Sequence, residues 1–334
     1  YILTLMLLGI FNSVFCQQIP IYNFFDDNIS LANPSLPRSE FIFDDYTLFI
    51  GGTYRDQWRG FDRAPETYNL QASTWLPDLG YSLADALGSS YAGLSIIHDK
   101  ISPFYFTGLS GYFGHLVFIN PKDRYRSKMF IAGGINIGIN AYQIKTNELD
   151  ETSQLDPYLI GLTGSKVIPD VGLGVSFQHY FTKRQKDSRV SQGYFIGFSI
   201  PQVLEFNLNY RTDNGDLKID RVKHYNFNVG AQFGEPDYAR YKFVGLGRYV
   251  YGAPLHVSGS LELLITNWLV LGVGVDSNVS INTRAGINIP FYRADDSALR
   301  VVYGFSFGGK SQFSRRGSTH EVGVTYMVRR EEYN

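Results

Sequence analysis

The sequence predicts an all-β protein: a transmembrane antiparallel β-barrel of about fourteen strands with both termini on the periplasmic side. Three observations predict it. Apolar and polar residues alternate with period two in one segment after another. Many of these segments run to ten residues or more, near the ~9–11 that cross a bilayer at a tilt. Tyrosine, phenylalanine and glycine are abundant (24, 25 and 34 of 334 residues), yet mean hydropathy is only −0.13. A barrel wall meets lipid with every second residue, so it needs little net hydrophobicity. No apolar run after residue 16 approaches the ~20 residues of a membrane helix. A soluble sandwich would alternate too, but its strands are typically about five or six residues long. Lys and Arg number 30 against 31 Asp and Glu, a net charge of −1. The basic excess of a nucleic-acid binder is absent.

The chain divides into three parts. Residues 1–16 read as a cleaved signal peptide. Ile2 to Phe15 is an apolar run of the right length, and Val14 and Cys16 occupy −3 and −1 of a cut before Gln17. Cys16 is the only cysteine, so the cut chain has no thiol chemistry. The alternative is a lipidated Cys16, against which stands the bulk of Phe15. Residues 17–43 carry Pro20, Pro34 and Pro37, which exclude a regular helix or a central strand. This segment lines the periplasmic mouth or enters the lumen. Residues 44–334 form the barrel.

The predicted strands are 45–55, 66–75, 90–98, 104–119, 127–144, 169–180, 192–200, 223–233, 238–250, 254–265, 268–275, 279–289, 297–307 and 319–328. In 225–233, Tyr225, Phe227, Val229, Ala231 and Phe233 alternate with Asn226, Asn228, Gly230 and Gln232. In 279–289, Val279, Ile281, Ala285 and Ile287 oppose Asn282, Arg284 and Gly286. The inward set of Gly, Ser and Asn suits a crowded polar lumen. An even strand count returns both ends to one side. The longest connections, 145–168 and 201–222, then fall outside the cell, while 234–237, 266–267 and 290–296 are short inner turns. The 76–89 connection is a fairly long exception. Trp75 and Trp268 stand at strand ends, where an aromatic girdle belongs. Gly133, Gly134, Gly272 and Gly274 read as lumen glycines that leave room for a neighbour or a plug.

No residue pattern demands chemistry. The six histidines show no metal-ligand spacing, and no cofactor motif is present. His320 and Glu321 resemble an acid/base pair, but adjacent strand residues face opposite ways. Glu321 shares the lumen face and is a candidate ion-pair partner for Arg300. After the first strand, Gln57–Pro65 gathers Gln57, Trp58, Arg59, Phe61, Asp62 and Arg63, with Arg55 just before them. This cluster is either a plug or partner-contact loop, or a rim loop fixed by internal Arg–Asp pairing.

Five blocks resemble the PorP/SprF family of Bacteroidetes outer-membrane proteins. They are Ala32-Asn33-Pro34-Ser35; Tyr54-Arg55-Asp56-Gln57-Trp58-Arg59-Gly60-Phe61-Asp62-Arg63-Ala64-Pro65-Glu66-Thr67; Gly93-Leu94-Ser95 with His98-Asp99-Lys100-Ile101-Ser102-Pro103; Pro169 to Gly174 with Gly193 to Pro201 downstream; and Gly317-Ser318-Thr319-His320-Glu321-Val322. Arg63 departs from the family's small residue. The resemblance implies an outer-membrane component of the type IX secretion and gliding machinery. It implies partners too: the C-terminal domain of a large secreted adhesin, and type IX secretion components beside outer-membrane lipid. The competing reading is an outer-membrane porin or hydrophobic-solute transporter.

Overall fold

The structure, a computed structural model, describes residues 25–44, 46–76, 88–119, 127–145, 163–185, 188–212, 215–235, 238–291, 297–308 and 317–329. The expected signal segment, its cut before Gln17 and most of connections 76–89 and 145–168 lie outside them. The strands are β1 (Tyr46–Arg59), β2 (Glu66–Leu76), β3 (Ser89–Ile101), β4 (Phe104–Phe118), β5 (Ser127–Lys145), β6 (Thr163–Gln185), β7 (Ser188–Gln202), β8 (Phe206–Thr212), β9 (Gly215–Arg221), β10 (His224–Glu235), β11 (Ala239–Val250), β12 (His256–Ile265), β13 (Leu269–Asp276), β14 (Ser280–Phe291), β15 (Ser297–Gly308) and β16 (Ser318–Arg329). Fourteen of them close into one antiparallel barrel, and β8 and β9 form a separate two-stranded sheet. Closure is made by β1 on β16, with Gly51 opposite Thr325 and Tyr54 opposite Val322.

The wall is inside out relative to a soluble protein. Leu94 is 62% exposed while Asn226 is fully buried. Ile137, Ile196, Val229 and Val273 also point outward, and Asn69, Ser95, Ser176, Gln178 and Arg284 are buried inward. A sandwich would bury the first set and expose the second, so the alternation is that of a membrane barrel. Aromatic pairs band both rims. At the rim bearing the start of β1, here the termini rim, Phe233 stacks on Tyr241 at 5.3 Å and Phe291 meets Tyr326 at 6.4 Å. At the far rim Tyr54 packs on Tyr68 at 4.8 Å and Tyr225 on Tyr249 at 6.2 Å. Trp268 is 53% exposed at the termini rim, after a tight turn in which Thr266 and Asn267 both have positive φ. Trp75 differs from the girdle expectation. It lies on the inward face of β2 and packs against Phe41 and Tyr91.

Each predicted strand coincides with one barrel strand, and three differences are informative. β6 starts at Thr163, six residues before the predicted 169, because Thr163–Ile168 pairs in register with Asn140–Lys145. Pro169 read as a strand start. It sits instead where β7 has not yet joined, since β6 meets β7 from Leu173 onward, and proline is tolerated on such an edge. β1 continues through a register shift to Arg59, so Gln57 and Trp58 belong to the strand, and the loop proper is 60–65. The connection 201–222 is no plain loop: β8 and β9 make a hairpin whose Leu208 and Tyr210 bury against Ile144 and Ile168. It is fastened by Arg221 on Asp170 at 2.6 Å, and Asp170 also accepts from the Asn140 amide.

Candidate functional site

The lumen is occupied by the chain's own N-terminal segment. Before β1 come a 3-10 turn at Phe25–Asn28 and single helical turns at Ile29–Ala32 and Glu40–Phe43. The prolines keep these turns short, and the polar groups they leave over are met by the barrel wall. Asn33 and Ser35 are fully buried. The Ala32 carbonyl accepts from Ser199 and Asn226, and the Ser35 carbonyl from Ser176 and Gln178. The Tyr91 hydroxyl donates to the Pro34 carbonyl at 2.6 Å, and Asn69 donates to Asn28 at 2.8 Å. These partners come from β2, β3, β6, β7 and β10, so the segment is gripped from several sides.

Two features place it. The first is a floor of lumen glycines. A Cβ on Gly134 would lie 2.2 Å from the Pro34 carbonyl carbon and oxygen, one on Gly174 would lie 2.1 Å from Asn33 Oδ1, and one on Gly197 2.6 Å from Asn33 Nδ2. Any side chain at these positions collides with the Asn33-Pro34-Ser35 knuckle. Gly133, the neighbour of Gly134, points outward, and a Cβ there meets nothing within 4 Å; it is not the lumen glycine expected.

The second is a network of charges. Asp27 contacts Arg284, Arg38 at 2.9 Å and Arg300 at 3.7 Å. Glu40 receives Arg300 at 2.6 Å and Arg38 at 3.5 Å, and Arg284 also reaches Glu262 at 2.9 Å. Nearer the termini rim Asp44 pairs with Arg240, and Lys242 donates to Ser39. Apolar support is small. Ile29 and Leu36 bury on Val244 and Leu246, and Phe41 sits edge-on to Phe49 at 4.7 Å.

The sequence-predicted residues distribute differently. Arg300 stands level with Thr325, four residues from Glu321 along β16, and its guanidinium goes to Glu40 and Asp27. The expected Arg300–Glu321 pair is thus corrected to Arg300–Glu40, because strand register separates the former two. Glu321 lies opposite Arg55 across β1 and β16. His320 points outward, within 2.5 Å of the Tyr303 hydroxyl, while Glu321 is buried inward. At the rim Arg59 pairs with Asp56 at 3.8 Å, Gln57 N–H donates to the Pro65 carbonyl, and Trp58 and Phe61 rest where a Cβ on Gly317 would sit. Trp58 and Arg63 hold positive φ, a strained state for such residues. Among the described residues no group of three or more His, Cys, Asp or Glu could hold a metal ion. The plug's residues Asp27, Arg38 and Glu40 were not singled out by sequence; only the glycines and the prolines hinted at them.

The network titrates in a definite direction. Burial alone would raise Asp27, but Arg284, Arg38 and Arg300 outweigh it and lower the carboxyl from 3.8 to about 2. Glu40 is likewise held well below its ordinary value: burial pushes up, and Arg38, Lys242 and Arg300 pull it down further. At Asp44 burial prevails over Arg240 and raises the carboxyl. The two lowered groups stabilise docking fully above about pH 4 and lose that contribution as pH falls toward about 2. Asp44 opposes the trend, since protonation relieves its burial. We therefore expect the plug to loosen in acid, with Trp75 losing Phe41 and its fluorescence moving to the red. Emission that stays constant from about pH 5 to about pH 2 would show that these charges do not hold the segment.

Comparison with known proteins locates this architecture. A search of curated protein sequences gave no match. Among solved structures, the chain is similar to a TodX monoaromatic hydrocarbon channel mutant at a TM-score of 0.52 and 13% identity, covering 91% of this chain and 94% of that one. It is also similar to the P. putida toluene transporter TodX at a TM-score of 0.47 and 11% identity, over 92% and 95% of the two chains. The transport unit of the Escherichia coli autotransporter AIDA-I gives 0.47 and 8% over 93% and 99%. At such identities the likeness is one of fold, an outer-membrane barrel. The family model of the type IX secretion system membrane protein PorP/SprF matches residues 14–326. Family and fold are those of a secretion barrel, not of an enzyme class. The chain spans the outer membrane and belongs to the PorP/SprF family of type IX secretion system membrane proteins.

Proposed function

We propose that this barrel is an occluded accessory of type IX secretion that helps export or anchor a large secreted adhesin by docking its C-terminal domain, and that it conducts no solute. One observation carries the reading: residues 27–44 fill the lumen and are tied to the wall by ion pairs and buried hydrogen bonds. A filled barrel is suited to a docking platform. In the proposed orientation the termini rim faces the periplasm, and the far rim presents Arg59, Asp62 and Arg63 outside the cell; the backbone there is fixed by the Gln57–Pro65 bond and the seat on Gly317. The alternative of a porin or hydrophobic-solute transporter draws on the resemblance to hydrocarbon channels, which is one of fold, and the filled lumen weighs against it.

Two measurements test the proposal together. Reconstituted in planar bilayers, the full-length mature protein is expected to show no large steady conductance. Affinity purification from native membranes is expected to recover a secreted protein through its C-terminal domain, with other type IX components. A steady open pore defeats the occluded reading, and recovery of neither kind of partner defeats the accessory reading.

A further inference from the structure

On the outer face of β3, β4 and β5, two lysines converge on one tyrosine. Lys145 Nζ lies 4.2 Å from the centre of the Tyr105 ring and Lys100 Nζ lies 5.9 Å from it. His98 is 6.2 Å from the same ring and bonds Thr107 at 2.8 Å. The register explains the gathering: Lys100 is opposite Tyr105 on β3, and Tyr105 is opposite Gln143, two residues before Lys145, on β5. All three basic groups stand at the far rim, where the apolar band of the wall ends. A ring can attract one cation at its face. A second cation over the same ring adds repulsion, which an anion between the two relieves. Glu66 faces Lys100 across β2, and its carboxylate also accepts from the Tyr68 hydroxyl at 3.2 Å.

Below this notch the wall is hollow. A groove of about 470 Å³ opens on the outer face of β1–β5, where the outward residues Ala72, Ala92 and Gly111 are small and Leu94, Phe113 and Ile137 rise beside them. Gly111 is six residues below Tyr105 on β4, about 20 Å at ~3.4 Å per residue, roughly one extended acyl chain. The other outer groove, about 640 Å³ on β7 and β10–β13, has Asp276 and Ser277 among its polar lining. The basic cluster thus stands at the far-rim end of the strands that line the first groove, whose own lining carries no charged residue.

We propose that this face is a binding site for a phosphate-bearing lipid, its phosphate between Lys100 and Lys145 and an acyl chain along the groove over Gly111. Recognition is by charge-assisted hydrogen bonds from two ammonium groups and by apolar burial against the small residues. The site is independent of the plug and of any secretion partner.

Native mass spectrometry of the detergent-released barrel tests it with three probes: phosphatidic acid, diacylglycerol of the same chains, and glycerol phosphate. Phosphatidic acid is expected to be retained about tenfold more than either other probe, and this preference to fall about tenfold in K100Q/K145Q. G111F, which fills the groove, is expected to lower retention of phosphatidic acid without abolishing the effect of the lysines. Heat-modifiable gel mobility verifies that each variant is folded, and the three-probe comparison on the unaltered protein stands if a variant is not. Equal retention of diacylglycerol overturns the phosphate site. Equal retention of glycerol phosphate overturns the lipid site in favour of a free phosphate.

Discussion

Valine at Gly134 is expected to expel the plug. The added side chain would begin 2.2 Å from the backbone of Pro34 and 2.5 Å from Ser35 N. Backbone cannot rotate away as a flexible side chain can, so the knuckle must leave or β5 must bend. Overpacking alone typically costs about 1–3 kcal/mol, and here it falls on a segment held chiefly by polar contacts. The expected result is a barrel that remains folded, exposes residues 27–44 to protease, and gains a steady conductance. Gly133→Val is the control, because the side chain added there meets nothing within 4 Å and faces outward. If both variants stay closed and protease-resistant, the glycine floor does not position the plug.

Neutralising Asp27 is expected to have the next largest effect. Its carboxylate answers Arg284, Arg38 and Arg300, whose side chains are 2%, 4% and 5% exposed. In Asp27→Asn these guanidiniums remain buried with Glu40 and Glu262 still in place. Removing one member of a buried charge group typically costs about 3–5 kcal/mol, mostly from the charge left behind. We expect a lower thermal midpoint for plug release, followed by the emission of Trp75. Arg284→Ala in the same background should be less harmful than the sum of the two single changes, with a coupling of about 1–3 kcal/mol. Strict additivity would mean that the contact is incidental.

The wall was legible in the sequence because its two faces meet different solvents. In β10, Phe227 and Val229 meet lipid while Asn226 and Asn228 meet the lumen, and that contrast survives without any knowledge of neighbours. The plug was not legible to the same degree. Asp27, Arg38 and Glu40 fall in a proline-broken stretch with no period, and their partners lie on strands whose relative height depends on register. The same ignorance of register produced the Arg300–Glu321 expectation. Gly134 and Gly133 are indistinguishable as a pair until parity along β5 assigns one to each face. The β8–β9 hairpin carried an available signal, since Phe206, Leu208 and Tyr210 alternate with Asn207 and Asn209 before a polar Asp-Asn-Gly stretch in the sequence. Nothing in the composition of the rim cluster around Trp58 announces that β1 continues through a bulge to Arg59.

The plug also fixes an order of assembly. Ser199 bonds Ala32 across 167 residues of chain, Arg284 meets Asp27 across 257, and Arg300 meets Glu40 across 260. Residues 27–40, which precede every strand of the wall, are thus held by some of the last strands to be made. Contacts so distant in sequence form late, after the loop between them has been closed. A barrel still lacking β14 and β15 has no Arg284 or Arg300 to hold its plug, so the unfinished wall encloses an unsecured segment. Sealing and closure therefore become one event, completed when the C-terminal strands arrive.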